Sequence, residues 1–257
     1  MTSMKSISSR LRGAYWNLRS DSREQVEAHT KILKAATLRR LRKTIDVGGV
    51  KVRLGSYCSL PLAVSMMDGQ YELPERTLVS EALDDDDIVL ELGTGIGVVT
   101  VLCARRLGAG RVHSFEANPS LIPVAEETFR LNGVAPALEN TILGVCEGER
   151  TFYVEKNFWS SSTVKRSARS RPVKVTVRRL DDAIETLRPT VLIVDIEGGE
   201  AEVFDTVQLG TVRKVLIEFH PHVIGEDAVD HIKDAFRSAG FVATKELFGG
   251  NQMFYQR

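Results

Sequence analysis

The residues of this chain best able to do chemistry fall in four short blocks. They are Glu91-Leu92-Gly93-Thr94-Gly95-Ile96-Gly97, Phe115-Glu116-Ala117-Asn118-Pro119, Asp195-Ile196-Glu197-Gly198-Gly199-Glu200 and Glu218-Phe219-His220. Glycines at alternate positions let a backbone approach a ligand closely, because no side chain stands between them. Such a turn alone is a weak sign of a nucleotide-type site, since glycines also close tight strand-to-helix connections. Glu116 strengthens the sign, because an acidic residue roughly 20 positions after the first glycine can accept hydrogen bonds from both ribose hydroxyls. Without that role, Glu116 would be an ordinary exposed loop carboxylate.

The register of the glycines separates two cofactor classes. A dinucleotide fingerprint wants G-x-G-x-x-G, but the third glycine here is Gly97 and the next position is Val98. Glu91 would place a negative charge near a pyrophosphate, and it suits a sulfonium or ammonium group better. A nicotinamide-dependent oxidoreductase is therefore the disfavoured alternative. A module that keeps the pocket without chemistry, or that binds RNA through a basic arm, is the other.

These blocks need strands and turns to bring them together. Ile88–Leu92 reads as a first buried strand, Val98–Leu107 as a helix stopped by Gly108-Ala109-Gly110, and Arg111–Phe115 as a second strand. Asn118 is placed to cap the next helix, with Pro119 in its first turn and Asn132-Gly133 at its exit. Thr141–Val145, Val191–Ile196 and Lys214–Phe219 read as the third, fourth and fifth strands, with helices over Asp182–Leu187 and Ala201–Leu209. Phe241–Lys245 and Gln252–Gln256, around Gly249-Gly250-Asn251, read as a closing antiparallel hairpin. Strands alternating with helices predict a parallel sheet, whose ligands bind at the carboxyl ends of the strands.

Thr151–Glu155 and Val173–Val177 bracket a Ser- and Arg-rich run from Ser160 to Arg171, with the composition of a mobile loop. Phe158 and Trp159 are candidates for an acceptor pocket, although aromatic residues at a strand end are more often core. The Asp84–Asp87 run reads as a solvated turn. Residues 1–75 read as an N-terminal cap, with an amphipathic helix from about Ser22 to Lys43 and a hairpin of Thr44–Val47 and Val50–Leu54 around Gly48-Gly49. Residues 76–257 form the main domain in this reading.

The bulk composition fits a soluble globular enzyme: 43% hydrophobic and 26% charged residues over 257 positions leave no case for wholesale disorder. A formal net charge of zero hides an asymmetry. Residues 1–45 hold eleven Lys and Arg against Asp21, Glu24 and Glu27, a balance of 11 − 3 = +8, so the remainder carries −8. A basic arm can meet phosphate or anionic lipid, but it is more often a solvated helix face. Cys58, Cys103 and Cys146 are too scattered for a disulfide framework or a zinc knuckle. No run approaches the roughly 20 apolar residues of a membrane span, and residues 1–19 lack the apolar middle of a signal peptide. A cytoplasmic location is expected.

Taken together, the blocks resemble the FkbM-type methyltransferases, a branch of the class I S-adenosylmethionine enzymes. The resemblance runs from about Asp68 to His222. It includes Tyr71-Glu72, Thr77, the Glu91–Gly97 turn, Phe115-Glu116-Ala117-Asn118-Pro119, Leu131-Asn132, Ser160-Ser161-Ser162, Leu180-Asp181-Asp182, Val194-Asp195-Ile196-Glu197-Gly198-Gly199-Glu200 and Ile217-Glu218-Phe219-His220. Two departures stand out: Glu91 where the family more often has Asp, and the basic loop after the serines. The resemblance implies a Rossmann-like α/β fold, with a seven-stranded, mostly parallel sheet whose last strand is antiparallel, here preceded by the cap. It also implies O-methylation of a small or glycan-like hydroxylated acceptor, with S-adenosylmethionine converted to S-adenosylhomocysteine. Nucleic acid is not an expected partner, and the oligomeric state is not readable.

The residues and the resemblance give an expected cofactor set of Tyr71, Glu72, Glu91, Gly93, Thr94, Gly95, Gly97, Glu116, Ala117, Asn118, Val145 and Asp195. The expected catalytic set is Asp195, His220 and Glu218, at the strand ends that face the reaction zone. Methyl transfer is an in-line displacement that needs alignment and removal of the acceptor's proton, a task for a histidine or a carboxylate of raised pKa. His220 or Asp195 is the expected base, against the plainer readings of a loop histidine held by Pro221 and a helix-capping aspartate. Asp195 and Glu218 could offer oxygen ligands to magnesium. Only His220 or Glu197 could complete the set, and imidazole suits hard cations poorly, so no metal is expected.

Overall fold

A computed structural model describes residues 26–155, 161–163, 165–204 and 208–257. Helix α1 covers residues 26–40, followed by strands β1 (Thr44–Val47) and β2 (Val50–Arg53) and helices α2 (Leu60–Met67) and α3 (Leu73–Ala82). The Gly48-Gly49 turn joins β1 to β2 with φ of 59° and 87°, the left-handed conformation that two-residue hairpin turns favour. Residue 75, where the cap was expected to end, falls inside α3. Of the apolar residues in α1, Ala35 is buried and Leu38 packs on the core beneath, but Val26, Ile32 and Leu33 face outward.

The main sheet begins with β3 (Val89–Leu92), α4 (Val98–Leu107), β4 (Val112–Phe115), α5 (Ile122–Asn132) and β5 (Ala137–Glu139). Next come β6 (Ile142–Gly144), β7 (Gly148–Val154) and β8 (Arg171–Arg179), which form a separate three-stranded sheet in the order β6-β8-β7. The chain returns through α6 (Leu180–Leu187), β9 (Val191–Val194), α7 (Glu200–Val203), β10 (Lys214–Glu218), α8 (Pro221–Ile224), α9 (Glu226–Ser238), β11 (Val242–Leu247) and β12 (Gln252–Gln256). The seven-stranded order is β11-β12-β10-β9-β3-β4-β5. β5, β4, β3, β9 and β10 pair in parallel, and β12 lies antiparallel between β10 and β11.

The central strands β3 and β9 are buried at every position, as a parallel sheet covered on both faces requires. On one face, Val229, Ile232 and Phe236 of the strongly amphipathic α9 join the core with Leu90, Leu192 and Ile217. On the other, α3 and α4 contribute Leu78, Val79, Val99 and Cys103.

Three readings of the sequence need correction. The third strand of the main sheet is Ala137–Glu139; Ile142–Gly144, within the expected Thr141–Val145, pairs with β8 instead. The Asp84–Asp87 run is not simply solvated, because Asp87 has no exposed surface and its Oδ2 accepts from Lys214 Nζ at 2.7 Å. The Ser160–Arg171 segment, where described, is held rather than loose. Ser161 and Ser162 are buried, Ser162 bridges Tyr153, and Ser170 Oγ hydrogen-bonds Glu155. Phe158, Trp159 and Ser160 lie outside the described residues, as do residues 1–25 of the basic arm.

Candidate cofactor pocket and active site

A cavity of about 350 Å³ opens at the carboxyl ends of β3, β4, β9 and β10, within the range of small-molecule sites. Gly93 turns the chain out of β3 with φ of 90°. A Cβ there would lie 1.8 Å from the carbonyl oxygen of Asp195, so this glycine is required by the neighbouring strand end. Gly97 is fixed similarly, since its Cβ would press on the Phe129 ring at 2.6 Å. Gly95 differs. With φ of 58°, its missing Cβ would meet nothing closer than Glu72 Oε1 and Tyr71 OH, both at 3.6 Å, which leaves its surface open to a ligand in the cavity.

Glu116 follows β4 and is 6% exposed, with its carboxylate on the cavity wall. Its Oε2 accepts from the Gly95 N–H at 2.8 Å and its Oε1 from the Asn118 N–H at 2.7 Å. A carboxylate has about four acceptor sites, so two remain for ribose hydroxyls. Burial pushes its pKa up to about 7, against the pull of those two N–H groups. Asn118 holds Glu116 and caps its own turn, its Oδ1 accepting from Ser120 N–H; it does not line the cavity.

Tyr71 and Glu72 reach the cavity from the segment before α3, and Glu72 adopts a left-handed backbone with φ of 49°. Arg76 locks that segment by donating to the carbonyls of Tyr71 and Gly69. Burial raises the Glu72 carboxyl to about 8, and its Oε2 has no hydrogen-bond partner. Thr94 Oγ1 is also buried without a partner, but Thr94, expected in the cofactor set, does not line the cavity. Orphaned acceptors beside an open glycine fit the ammonium and sulfonium charges of S-adenosylmethionine, and the Glu116 cradle fits its ribose.

Glu91 sits elsewhere than expected. It is 1% exposed beneath the turn, where its Oε2 accepts from Thr100 Oγ1 at 2.5 Å and from Ser114 Oγ at 2.6 Å, and it does not line the cavity. It joins α4 to β4 as an internal strut. Val145 also lies off the cavity wall, which Thr141, Ile142, Leu143 and Gly144 supply instead; its carbonyl accepts from Arg179.

Asp195 follows β9 and Glu218 ends β10, so the pairing of these strands carries both carboxyls to the cavity. Burial raises both, Glu218 to about 7 and Asp195 well above the usual carboxylate range, with repulsion from Glu75 and Glu197 adding to Glu218 and from Glu218 and Glu197 to Asp195. Asp195 Oδ1 is buried without a hydrogen-bond partner. Glu75, Glu197 and Gln252 join this wall, and Gln252 Nε2 donates to Glu218 Oε1 at 2.8 Å. Glu197 has a left-handed backbone with φ of 51°, a strained state that tends to occur where function fixes a side chain.

His220 stands behind this wall rather than on it. It is 5% exposed, its Nδ1 lies 2.5 Å from Glu200 Oε1, and its Nε2 lies 3.7 Å from Asp195 Oδ1 and 3.6 Å from Glu197 Oε1. Burial alone would lower its pKa. The approach of Glu197, Glu200 and Asp195 outweighs burial and pushes it up to about 11, so the ring is an imidazolium at neutral pH. Asp195, Glu218 and His220 offer atoms within 4.8 Å of one another, a spacing that could surround a cation.

The sequence reading missed Glu200 and Glu75 as members of this group, as well as Arg150, Arg166 and Glu202 near the cavity mouth. Arg150 forms a two-pronged ion pair with Glu202, and Arg166 bonds both the side chain and the carbonyl of Glu197. The Asp-Ile-Glu-Gly-Gly-Glu block was the available signal for Glu200.

Comparison with known proteins accords with this geometry. Residues 91–243 match the Methyltransferase FkbM domain. The hexuronic acid methyltransferase AglP of Haloferax volcanii is 27% identical over 164 residues, covering 62% of this chain and 66% of that protein. An uncharacterized protein of Methanocaldococcus jannaschii is 31% identical over 168 residues, covering 61% and 56%. The chain thus spans less than two thirds of the length of either relative. Among solved structures, a ribosomal protein L11 methylase from Lactobacillus delbrueckii subsp. bulgaricus aligns at 13% identity over 73% of this chain and 77% of that one, with a TM-score of 0.42. The family match covers more than half of the chain, which belongs to the FkbM methyltransferases and carries their S-adenosylmethionine-dependent domain.

Proposed function

We propose that the protein methylates a hydroxyl of a small, sugar-like acceptor, with Asp195 receiving the hydroxyl proton. The observation that carries this reading is the pair Asp195 and Glu218, which share the cavity wall beside the Gly93 turn and whose carboxyls burial raises, that of Glu218 to about 7. A carboxylate of raised pKa is a competent general base at neutral pH, where an ordinary one is too weak. His220 does not serve as the base in this mechanism. Its imidazolium stands behind Asp195 as a fixed counter-charge.

S-adenosylmethionine supplies the methyl group, and its sulfur keeps the electron pair of the broken carbon–sulfur bond. Glu116 would hold the ribose, Gly93 and Gly95 would admit the amino-acid end, and Glu72 would face its ammonium. Asp195 accepts the proton as the acceptor oxygen forms its bond to carbon, while Glu218 and Gln252 orient the acceptor's other hydroxyls. The likeness to a hexuronic acid methyltransferase supports a sugar-like acceptor. No helix among the described residues is long and apolar enough to cross a membrane, and we retain a cytoplasmic location as part of the proposal.

Transfer of a labelled methyl group tests this reading on a panel of monosaccharides, uronic acids and small polyols, with a generic RNA beside them. Label on a hydroxyl oxygen of a small acceptor, lost in Asp195→Asn, is the expected result. Label on RNA and on none of the small acceptors would overturn it.

A further inference from the structure

Glu200 is a carboxylate of this group that the mechanism leaves unused. It has no exposed surface and does not line the cavity. Its Oε1 lies 2.5 Å from His220 Nδ1 and takes a longer contact from the Gly198 N–H at 3.2 Å; its Oε2 has no partner. Burying a carboxylate this fully is costly unless its charge is matched, and His220 is the one basic side chain recorded as bonding it among the described residues. The opposite edge of the ring faces Asp195 and Glu197. Glu200, His220 and Asp195 therefore run in sequence from the core to the cavity.

We propose that Glu200 is a positioning residue of the active site: it holds His220 by Nδ1 with Nε2 turned toward Asp195, and so fixes the counter-charge beside the carboxyl that takes the acceptor's proton. The inference rests on the reading of Asp195 as the base. Gly198, at φ of 100°, is required in this turn for a separate reason, because a Cβ there would lie 2.4 Å from Val223 Cγ1. A helix terminus does not explain the buried charge, since α7 is a single turn of four residues.

The charged groups facing His220 are Glu200 on one side and Asp195 and Glu197 on the other, with Glu218 within 4.8 Å of both Asp195 and the ring and the His222 ring 5.9 Å away. Four carboxylates thus surround one imidazolium. Glu200 meets the edge of the ring away from the cavity, so its hold on Nδ1 is independent of the proton that arrives at Asp195. Replacing Glu200 should loosen the ring's proton and leave the ring free to turn away from Asp195.

Nitrogen-15 and carbon-13 NMR of the full-length protein, labelled at His and Asp, tests this without an acceptor. His220 is assigned by comparison with His220→Gln, and S-adenosylhomocysteine binding is measured on the same samples. In the wild type, Nδ1 of His220 should carry a hydrogen-bonded proton and the ring should stay charged above neutral pH. In Glu200→Gln, its titration should fall by roughly 1–3 pH units. A His220 that titrates identically in both proteins would overturn the inference. If Glu200→Gln does not fold, the wild type alone decides: a ring that titrates near the ordinary histidine value, or that carries its neutral proton on Nε2, overturns it. Failure of the wild type to bind S-adenosylhomocysteine would count against the proposed function instead, leaving the His220 result to be read separately.

Discussion

Both ends of the main sheet bury carboxylates, and they treat them in opposite ways. At the amino-terminal end, Asp87 is fully buried, yet Lys214, Thr190 and the Asp84 N–H hold its pKa below the usual carboxylate value despite the opposing effect of burial. At the carboxyl end, Glu72, Glu116, Asp195 and Glu218 all have raised values. The first arrangement is complete in itself. The second leaves acceptor atoms of Glu72 and Asp195 without partners, as expected where a ligand is to finish the bonding. The contrast separates charge buried for stability from charge buried for binding.

The largest expected effect lies at the amino-terminal end. Asp87→Ala would leave Lys214, whose side chain is 4% exposed, with only the outlying Asp84, and should destabilise the fold by about 3–5 kcal/mol in denaturant unfolding. The affinity of the protein that remains folded for S-adenosylhomocysteine should be unchanged. Because the folded pKa of Asp87 is depressed, this stability is present above the unfolded carboxylate value and is lost as pH falls through the folded one. A midpoint that rose on acidification would contradict the assignment.

The glycines sharpen the contrast within the turn itself. Gly93→Ala drives a Cβ into the Asp195 carbonyl and should cost several kcal/mol of stability, roughly as a severe core clash does. Gly95→Val should leave a more stable protein than Gly93→Ala, while blocking the cofactor. Thermal melts of both, each followed by calorimetry with S-adenosylhomocysteine, would refute the assignment if the order of stability were reversed.

Smaller effects follow for Glu91, whose carboxyl burial pushes up to about 7. A folded pKa above the unfolded one means that stability is highest below the unfolded value and declines as pH rises toward 7. Glu91→Gln should therefore stabilise the protein by roughly 1–3 kcal/mol at pH 8 and hardly at all at pH 4. Equal effects at both pH values would show that Glu91 is not the titrating strut described.

Much of this arrangement is legible in the sequence because it is local. The strand, glycine turn and helix around Gly93, the Gly48-Gly49 hairpin and the placement of Glu116 depend on neighbours within a few residues. The errors come from longer range. β5 has only three residues and an exposed, partly buried, exposed pattern, so the more apolar Thr141–Val145 concealed it. The partner that makes Asp87 structural is Lys214, 127 positions away, which a run of four aspartates cannot reveal. Serine-rich composition gave no hint of the Ser162 bridge to Tyr153. His220 could be placed at the right strand end, but not behind its wall, because that depends on a contact with Glu200 across two loops.

The most direct test of the cofactor pocket is calorimetric titration of S-adenosylhomocysteine into the wild type and Glu116→Ala, repeated from pH 5.5 to 8.5. The wild type should bind, with affinity rising by up to about tenfold per pH unit below 7 as Glu116 ionises, and then levelling. Glu116→Ala should bind more weakly by about 1.5–3 kcal/mol and lose that dependence. Equal, pH-independent affinity in the two proteins would place the ribose elsewhere and contradict the account.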